Sequence, residues 1–130
     1  MTISVVIVTD QEIHELQNFV SLLNTMKDGV IVVEGKRDAL ALKKLGFSGQ
    51  IIEFHRYGGM ANFADAVARY KKLIILFDRD KKGGYLTRKT IQMLQHRTKI
   101  DLSCKRKLTA ITKGKIMFIE QLGCYESYLV

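Results

Sequence analysis

Two uninterrupted apolar runs punctuate the chain. Leu73, Ile74, Ile75, Leu76 and Phe77 follow one another without a polar residue and are closed by Asp78, Arg79, Asp80, Lys81, Lys82, Gly83 and Gly84. A run of this kind, bounded by turn residues, reads as a strand buried on both faces, as parallel sheets require. Val30, Ile31, Val32 and Val33 make a second such run, closed by Glu34 and Gly35. Helical periodicity fills much of the rest. Thr9 and Glu12 have the spacing of a capping box, and Ile13, Leu16, Phe19, Val20, Leu23 and Met26 then recur on one face to about Lys27. Ala39, Leu40, Leu42 and Leu45 mark a helix that Gly46 ends.

The pattern further predicts a strand over 50–54, a helix over 60–70 and a helix over 85–96 entered through Gly83 and Gly84. In that last helix Leu86, Met93 and Leu94 are expected inward, and Arg88, Lys89, His96 and Arg97 outward. A short strand at 100–102, a helix over 105–111 ended by Gly114, an extended 116–119 and a closing helical turn over 122–129 follow. The run 3–8 fits either an edge strand or a lead-in to the first helix. Strand and helix alternate throughout, with no repeat or linker, so the expected fold is one α/β domain over 1–130, a three-layer sandwich with right-handed crossovers.

Ligands of open parallel sheets bind beyond the carboxyl ends of the strands, and acids stand there. Along extended chain, residues two apart point the same way roughly 6.5 to 7 Å from each other, so Asp78 and Asp80 can face one pocket while Arg79 faces away. Two carboxylates that close resist ionising together without an opposite charge. A hard divalent ion such as Mg2+ takes one or two carboxylates and keeps its waters. A solvated polar turn after the strand meets the same pattern. If the two apolar strands are neighbours, Glu34 joins the aspartates on one edge.

The loop His55, Arg56, Tyr57, Gly58 and Gly59 follows the 50–54 strand and should reach that edge too. Paired glycines let main-chain amides approach a phosphate, Arg56 could supply charge and Tyr57 a stacking face; a plain loop before a helix fits equally.

Composition narrows the class. A chain of 130 residues with 47% hydrophobic content can bury a real core. No stretch is long enough to span a membrane and no signal peptide opens the chain, so a cytoplasmic protein is expected. Cys104 and Cys124 lack metal-ligand spacing and are expected as free thiols. The net charge of +8 points to an anionic partner, nucleic acid before membrane.

Together these motifs resemble the Toprim domain of topoisomerases, bacterial primases, OLD-type nucleases, recombination-repair proteins and a small ribosomal-RNA maturation nuclease. The resemblance rests on Glu34, Gly35 and Asp38 after one strand, Gly58 and Gly59 after the next, and Asp78 and Asp80 with Gly83 or Gly84 after a third, over about 30–102. It implies a Rossmann-like domain with a mainly parallel four-stranded sheet, helices on both faces, Mg2+ held by the acids, and phosphoryl chemistry on nucleic acid. A topoisomerase's tyrosine-bearing domain and a primase's template-binding and zinc-binding parts do not fit in this length, so the small stand-alone Toprim proteins are the nearest match.

Two functional expectations follow. The first is a Mg2+-dependent nuclease or phosphotransferase, Mn2+ substituting, that acts on RNA or DNA. In it Asp78 and Asp80 hold the metal, Glu34 is a further ligand or the general acid/base, and Lys36, Arg37, Arg56, Lys81 and Lys82, with the Gly58 and Gly59 amides, meet phosphates. Gly35 and Asp38 support the site, Asp38 by capping a helix or by a salt bridge. The second is a non-catalytic metal- and nucleic-acid-binding module of a larger repair or RNA-processing assembly.

Overall fold

The computed structural model describes residues 8–128. The run 3–8 falls outside them except for Val8, which packs against the core. In chain order the elements are α1 (Asp10–Thr25), β1 (Gly29–Val33), α2 (Lys36–Lys44), β2 (Ile51–Glu53), α3 (Met60–Val67), β3 (Lys72–Ile75), α4 (Lys81–Leu94), β4 (Lys99–Asp101) and α5 (Ser103–Ile111). Short 3-10 segments, Phe54–Tyr57 and Ile119–Tyr128, complete it.

Among the described residues four strands lie in the order β2-β1-β3-β4, and each of these pairings is parallel. Side chains of successive strand residues point to opposite faces, and the two apolar runs split accordingly. Ile31, Val33, Ile74 and Leu76 pack under α1, α2 and α5 through Leu16, Phe19, Leu42 and Leu108. Val30, Val32, Leu73, Ile75 and Phe77 pack on the other face under α3 and α4 through Phe63, Val67, Leu86 and Leu94. Each fully buried side chain of this size stabilises the fold by about 1.5–3 kcal/mol, which is why the two central strands tolerate no polar residue. This is the α/β sandwich of the Toprim, Rossmann-like type, with helices on both faces.

The direction of the connections matters for function. From β1 the chain crosses through α2 on one face to β2, whereas from β3 it crosses through α4 on the other face to β4. The sheet therefore has its topological switch point between β1 and β3, the position at which such sheets open a crevice for ligand.

Several boundaries differ from expectation. α4 begins at Lys81, four residues early, and includes both glycines. Met93 is 40% exposed, so the inner stripe of α4 is Gly83, Leu86, Thr90 and Leu94. α3 stops at Val67 rather than at 70, and the 116–119 segment pairs with no strand among the described residues. Instead Gln121 Oε1 accepts hydrogen bonds from the Met117 and Phe118 amides, both at 2.9 Å, and turns the chain into the 3-10 segment that packs on α2. Gly46 ends the α2 turn with φ +102°, as expected of a left-handed cap.

Candidate active site

Glu34 is the first residue beyond β1 and Asp78 lies beyond β3, on the adjacent strand. The Asp78 amide donates to Glu34 Oε2 at 2.9 Å, and the His55 amide donates to the Glu34 carbonyl oxygen at 2.9 Å, so three strand ends converge on Glu34. Asp78 Oδ1 in turn accepts the Ile119 amide at 2.7 Å. Both acids are nearly buried, at 5% and 9% exposure. Burial, then the Asp78 carboxyl within hydrogen-bonding reach, and the charges of Asp78 and Asp80, raise the Glu34 carboxyl to about 7, while the Asp78 amide pulls against them.

Asp80 reaches the same cavity by another route than extended-strand alternation, because β3 ends at Ile75. Asp80 is the N-cap of α4, its Oδ1 accepting the Gly83 amide at 2.8 Å. Gly83 is required on packing grounds: a β-carbon there would overlap the Asp78 carbonyl oxygen and lie 2.6 Å from its carbon. The turn that carries the aspartates is thereby pressed onto the first turn of α4. Asp38 is the N3 residue of α2 and its Oδ2 accepts the Gly35 amide at 3.2 Å, the capping role expected of it. Burial first, and the charge of Asp78 second, raise the Asp38 carboxyl above the ordinary carboxylate range against the amides of Gly35 and Glu120.

These acids open on one cavity of about 380 Å³, lined by Glu34, Asp38, Asp78 and Asp80 on its acidic side and by Lys36, Arg37 and Lys82 on its basic side. Arg79 turns elsewhere, donating to the Gly114 and Ile116 carbonyls at 3.2 Å each. Of the other expected phosphate contacts, Arg56 is 70% exposed and lies 3.4 Å from Glu53, and neither it, Gly58, Gly59 nor Lys81 lines the cavity. Gly58 and Gly59 have φ of +70° and +125°, so these glycines serve the turn into α3.

Three further residues join the site: His55, from the loop expected at this edge but given no role there, and Glu120 and Lys105, which the sequence pattern does not place there. His55 lines the cavity with Nε2 3.4 Å from Lys82 Nζ, and Glu120 lines it from the 3-10 segment. Lys105, on α5, donates from Nζ to the Asp78 carbonyl oxygen at 3.2 Å. Burial pushes the Lys105 ammonium below the usual lysine range, opposed by the charges of Asp78 and Glu34.

The acids of the cavity offer only oxygen donors, the chemistry a hard divalent cation selects. Two nearly buried carboxyls held so close that one keeps its proton up to about 7 are short of positive charge, and a divalent ion would supply what that proton now supplies. Among the described residues no group of three or more His, Cys, Asp or Glu side chains is arranged to close on one ion. The residues therefore fit an ion bound by one or two carboxylates and water, not a full protein cage.

A switch-point crevice beyond the carboxyl ends of two parallel strands, lined by Glu34, Asp78 and Asp80, defines the Toprim class. The Toprim domain family matches residues 29–120, and the chain belongs to that family. It is 40% identical to a UPF0292 protein of Thermococcus sibiricus over 100 residues, covering 75% of this chain and 79% of that one. A UPF0292 protein of Methanosarcina barkeri is 34% identical over 130 residues, covering 93% and 90%. A solved structure of a protein from Aquifex aeolicus superposes with a TM-score of 0.66 at 27% identity, over 82% of this chain and 96% of that one. Toprim domains generally bind divalent metal ions such as Mg2+, and the family points to metal-dependent work on nucleic acid. No helix of the described residues is long and apolar enough to cross a membrane.

Proposed function

We propose that the chain is a Mg2+-dependent nuclease or phosphotransferase acting on RNA or DNA in the cytoplasm, with Mn2+ able to substitute. The observation that carries this reading is Glu34: a nearly buried carboxyl at the switch point, fixed by the Asp78 amide at 2.9 Å and raised to about 7. A general acid/base works best with its pKa near the working pH. Asp78 and Asp80 would hold the ion, with Glu34 beside it. Bound there, the ion would polarise a phosphoryl oxygen and offset the charge building on it.

The remaining roles belong to the chain itself. Glu34 takes or returns the proton of the attacking or leaving oxygen. Lys36, Arg37 and Lys82, on the cavity's basic side, orient phosphate oxygens. Lys105 acts on Asp78 through its carbonyl oxygen and so positions the acid. The second reading is a non-catalytic metal- and nucleic-acid-binding module within a repair or RNA-processing assembly, for which the net charge of +8 is the support.

Incubation of the purified protein with Mg2+ or Mn2+ and a mixture of single-stranded and structured RNA and DNA separates the two. Cleavage that EDTA abolishes supports the enzyme; tight binding without turnover in either metal supports the module.

A further inference from the structure

α4 departs from ordinary helix design in a way the acidic site does not explain. Its sequence carries Lys81, Lys82, Arg88 and Lys89 and no acidic residue. Two of those lysines occupy the first turn, where the helix dipole favours negative charge and each cation costs about 0.3–1 kcal/mol. Among the described residues no carboxylate pairs with Lys81, Arg88 or Lys89. Residues three, four and seven apart share a helix face, so Lys81, Tyr85, Arg88 and Gln92 form one line with Lys89 beside it. All four of that line are exposed, Tyr85 at 52%.

The line has an aromatic centre and a direction. Lys89 Nζ lies 5.8 Å from the centroid of the Tyr85 ring, a cation–π contact that steadies the phenol at the surface. Arg88 lies back toward the N-terminus: its Nη1 is 3.4 Å from where a β-carbon of Gly84 would sit, so the glycine leaves room for the guanidinium. The helix is capped by Asp80, in the acidic cavity, and at 1.5 Å per residue the line runs roughly 16 Å away from it. Basic groups flanking an exposed ring are the means by which proteins hold single-stranded nucleic acid, the cations on phosphates and the ring under a base. A duplex offers no unstacked base to such a ring.

We infer that the outer face of α4 is a track for the unpaired strand of a nucleic-acid substrate, with Tyr85 stacking a base and Lys81, Arg88 and Lys89 on the phosphates leading to the acidic site. This rests on the functional reading above and adds to it the substrate class, a strand unpaired next to the reacting phosphate. The ring serves RNA and DNA alike.

Fluorescence anisotropy with labelled oligo(U), oligo(dT) and a blunt duplex of equal length tests it. Tyr85→Ala should weaken binding of both single strands roughly ten- to hundredfold and leave the duplex nearly unaffected, while Tyr85→Phe, which keeps the ring, should bind as the parent does. Arg88→Gln and Lys89→Gln should each lower the salt slope for single strands by about 0.7, a change Tyr85→Ala should not produce. Unaltered melting temperatures certify the folds, as expected for exposed positions. Tyr85→Ala binding single strands like the parent, or losing duplex equally, overturns the track. A parent protein that binds strands through Tyr85 but cleaves nothing in Mg2+ or Mn2+ sinks the enzyme reading and leaves the track standing; a parent that binds duplex but no single strand sinks the track alone, and one that binds neither sinks both.

Discussion

The Asp78 amide donates to Glu34 Oε2 at 2.9 Å across 44 residues of chain. The bond ties the ends of the two central strands together and brings two carboxyls into a space that holds only one negative charge comfortably. Its energetic consequence is a pH dependence of opposite sign to that of most acids. In the unfolded chain Glu34 ionises near 4.5, whereas in the fold it keeps its proton to about 7. Between those values the unfolded state releases a proton that the folded state retains, so metal-free stability should fall with rising pH, by up to ~3 kcal/mol. Glu34→Gln should flatten this slope in melting curves between pH 4.5 and 7, and saturating Mn2+ should flatten it in the parent. A slope that survives the substitution would detach it from Glu34.

Glu12, on α1, should show the ordinary sign. It is 2% exposed, with Lys115 Nζ at 2.7 and 2.9 Å from its oxygens and the Tyr125 hydroxyl donating at 3.0 Å. Burial alone would raise this carboxyl; the Lys115 and Tyr125 hydrogen bonds and the Lys115 and Lys113 charges outweigh it and hold the pKa below 4.5. Its contribution is therefore present above 4.5 and lost as pH falls below it. Lys115→Met should destabilise by about 3 kcal/mol at neutral pH and weaken the acid limb of the stability profile, as chemical denaturation at several pH values would show.

Gly83 and Gly84 should behave as opposites. Ala at 83 would drive a methyl into the Asp78 carbonyl, and the loss should reach about 3 kcal/mol, with divalent affinity falling alongside. Ala at 84 would meet only the movable end of Arg88, 3.4 Å away, and should gain about 0.5–1 kcal/mol of helix propensity. Equal behaviour of the two variants in urea unfolding would contradict the close packing of α4 on Asp78.

Asp78→Asn and Asp80→Asn should both weaken Mn2+ binding in calorimetry, and neither should unfold the protein. Asn is as good an N-cap as Asp, so the Asp80 variant keeps the start of α4; Asp80→Ala should lose about 1 kcal/mol beyond it. Undiminished Mn2+ affinity in the double Asn variant would remove the acids from the metal account.

How far the sequence reveals this arrangement follows from the range of the forces involved. The runs 30–33 and 73–77 announce central strands because burial on both faces leaves no polar position, and the acids at their ends come with them. Asp80 and the start of α4 are harder to see: glycine is a poor helix former, so Gly83 and Gly84 read as a lead-in, whereas Gly83 lies within the helix because only it fits against Asp78. Lys105 and Glu120 reach the site through contacts of α5 and the final 3-10 segment, which no local pattern encodes. The Lys105 to Asp78 hydrogen bond spans 27 residues. Arg56 sat in the right loop, yet its nearest charge is Glu53, three residues back.

The most direct measurement is the rate of Mg2+-dependent nucleic-acid cleavage by Glu34→Gln beside the parent, with Mn2+ and oligonucleotide affinities taken on the same samples. The substitution keeps size and hydrogen bonding while removing charge and proton transfer. Glu34→Gln should bind metal and strand nearly as the parent does, turn over ~10²- to 10⁴-fold more slowly, and lose the acidic limb of the pH profile. Reduced metal affinity with a rate that excess metal restores would make Glu34 chiefly a ligand. Full activity in Glu34→Gln would contradict the assignment of proton transfer to this residue.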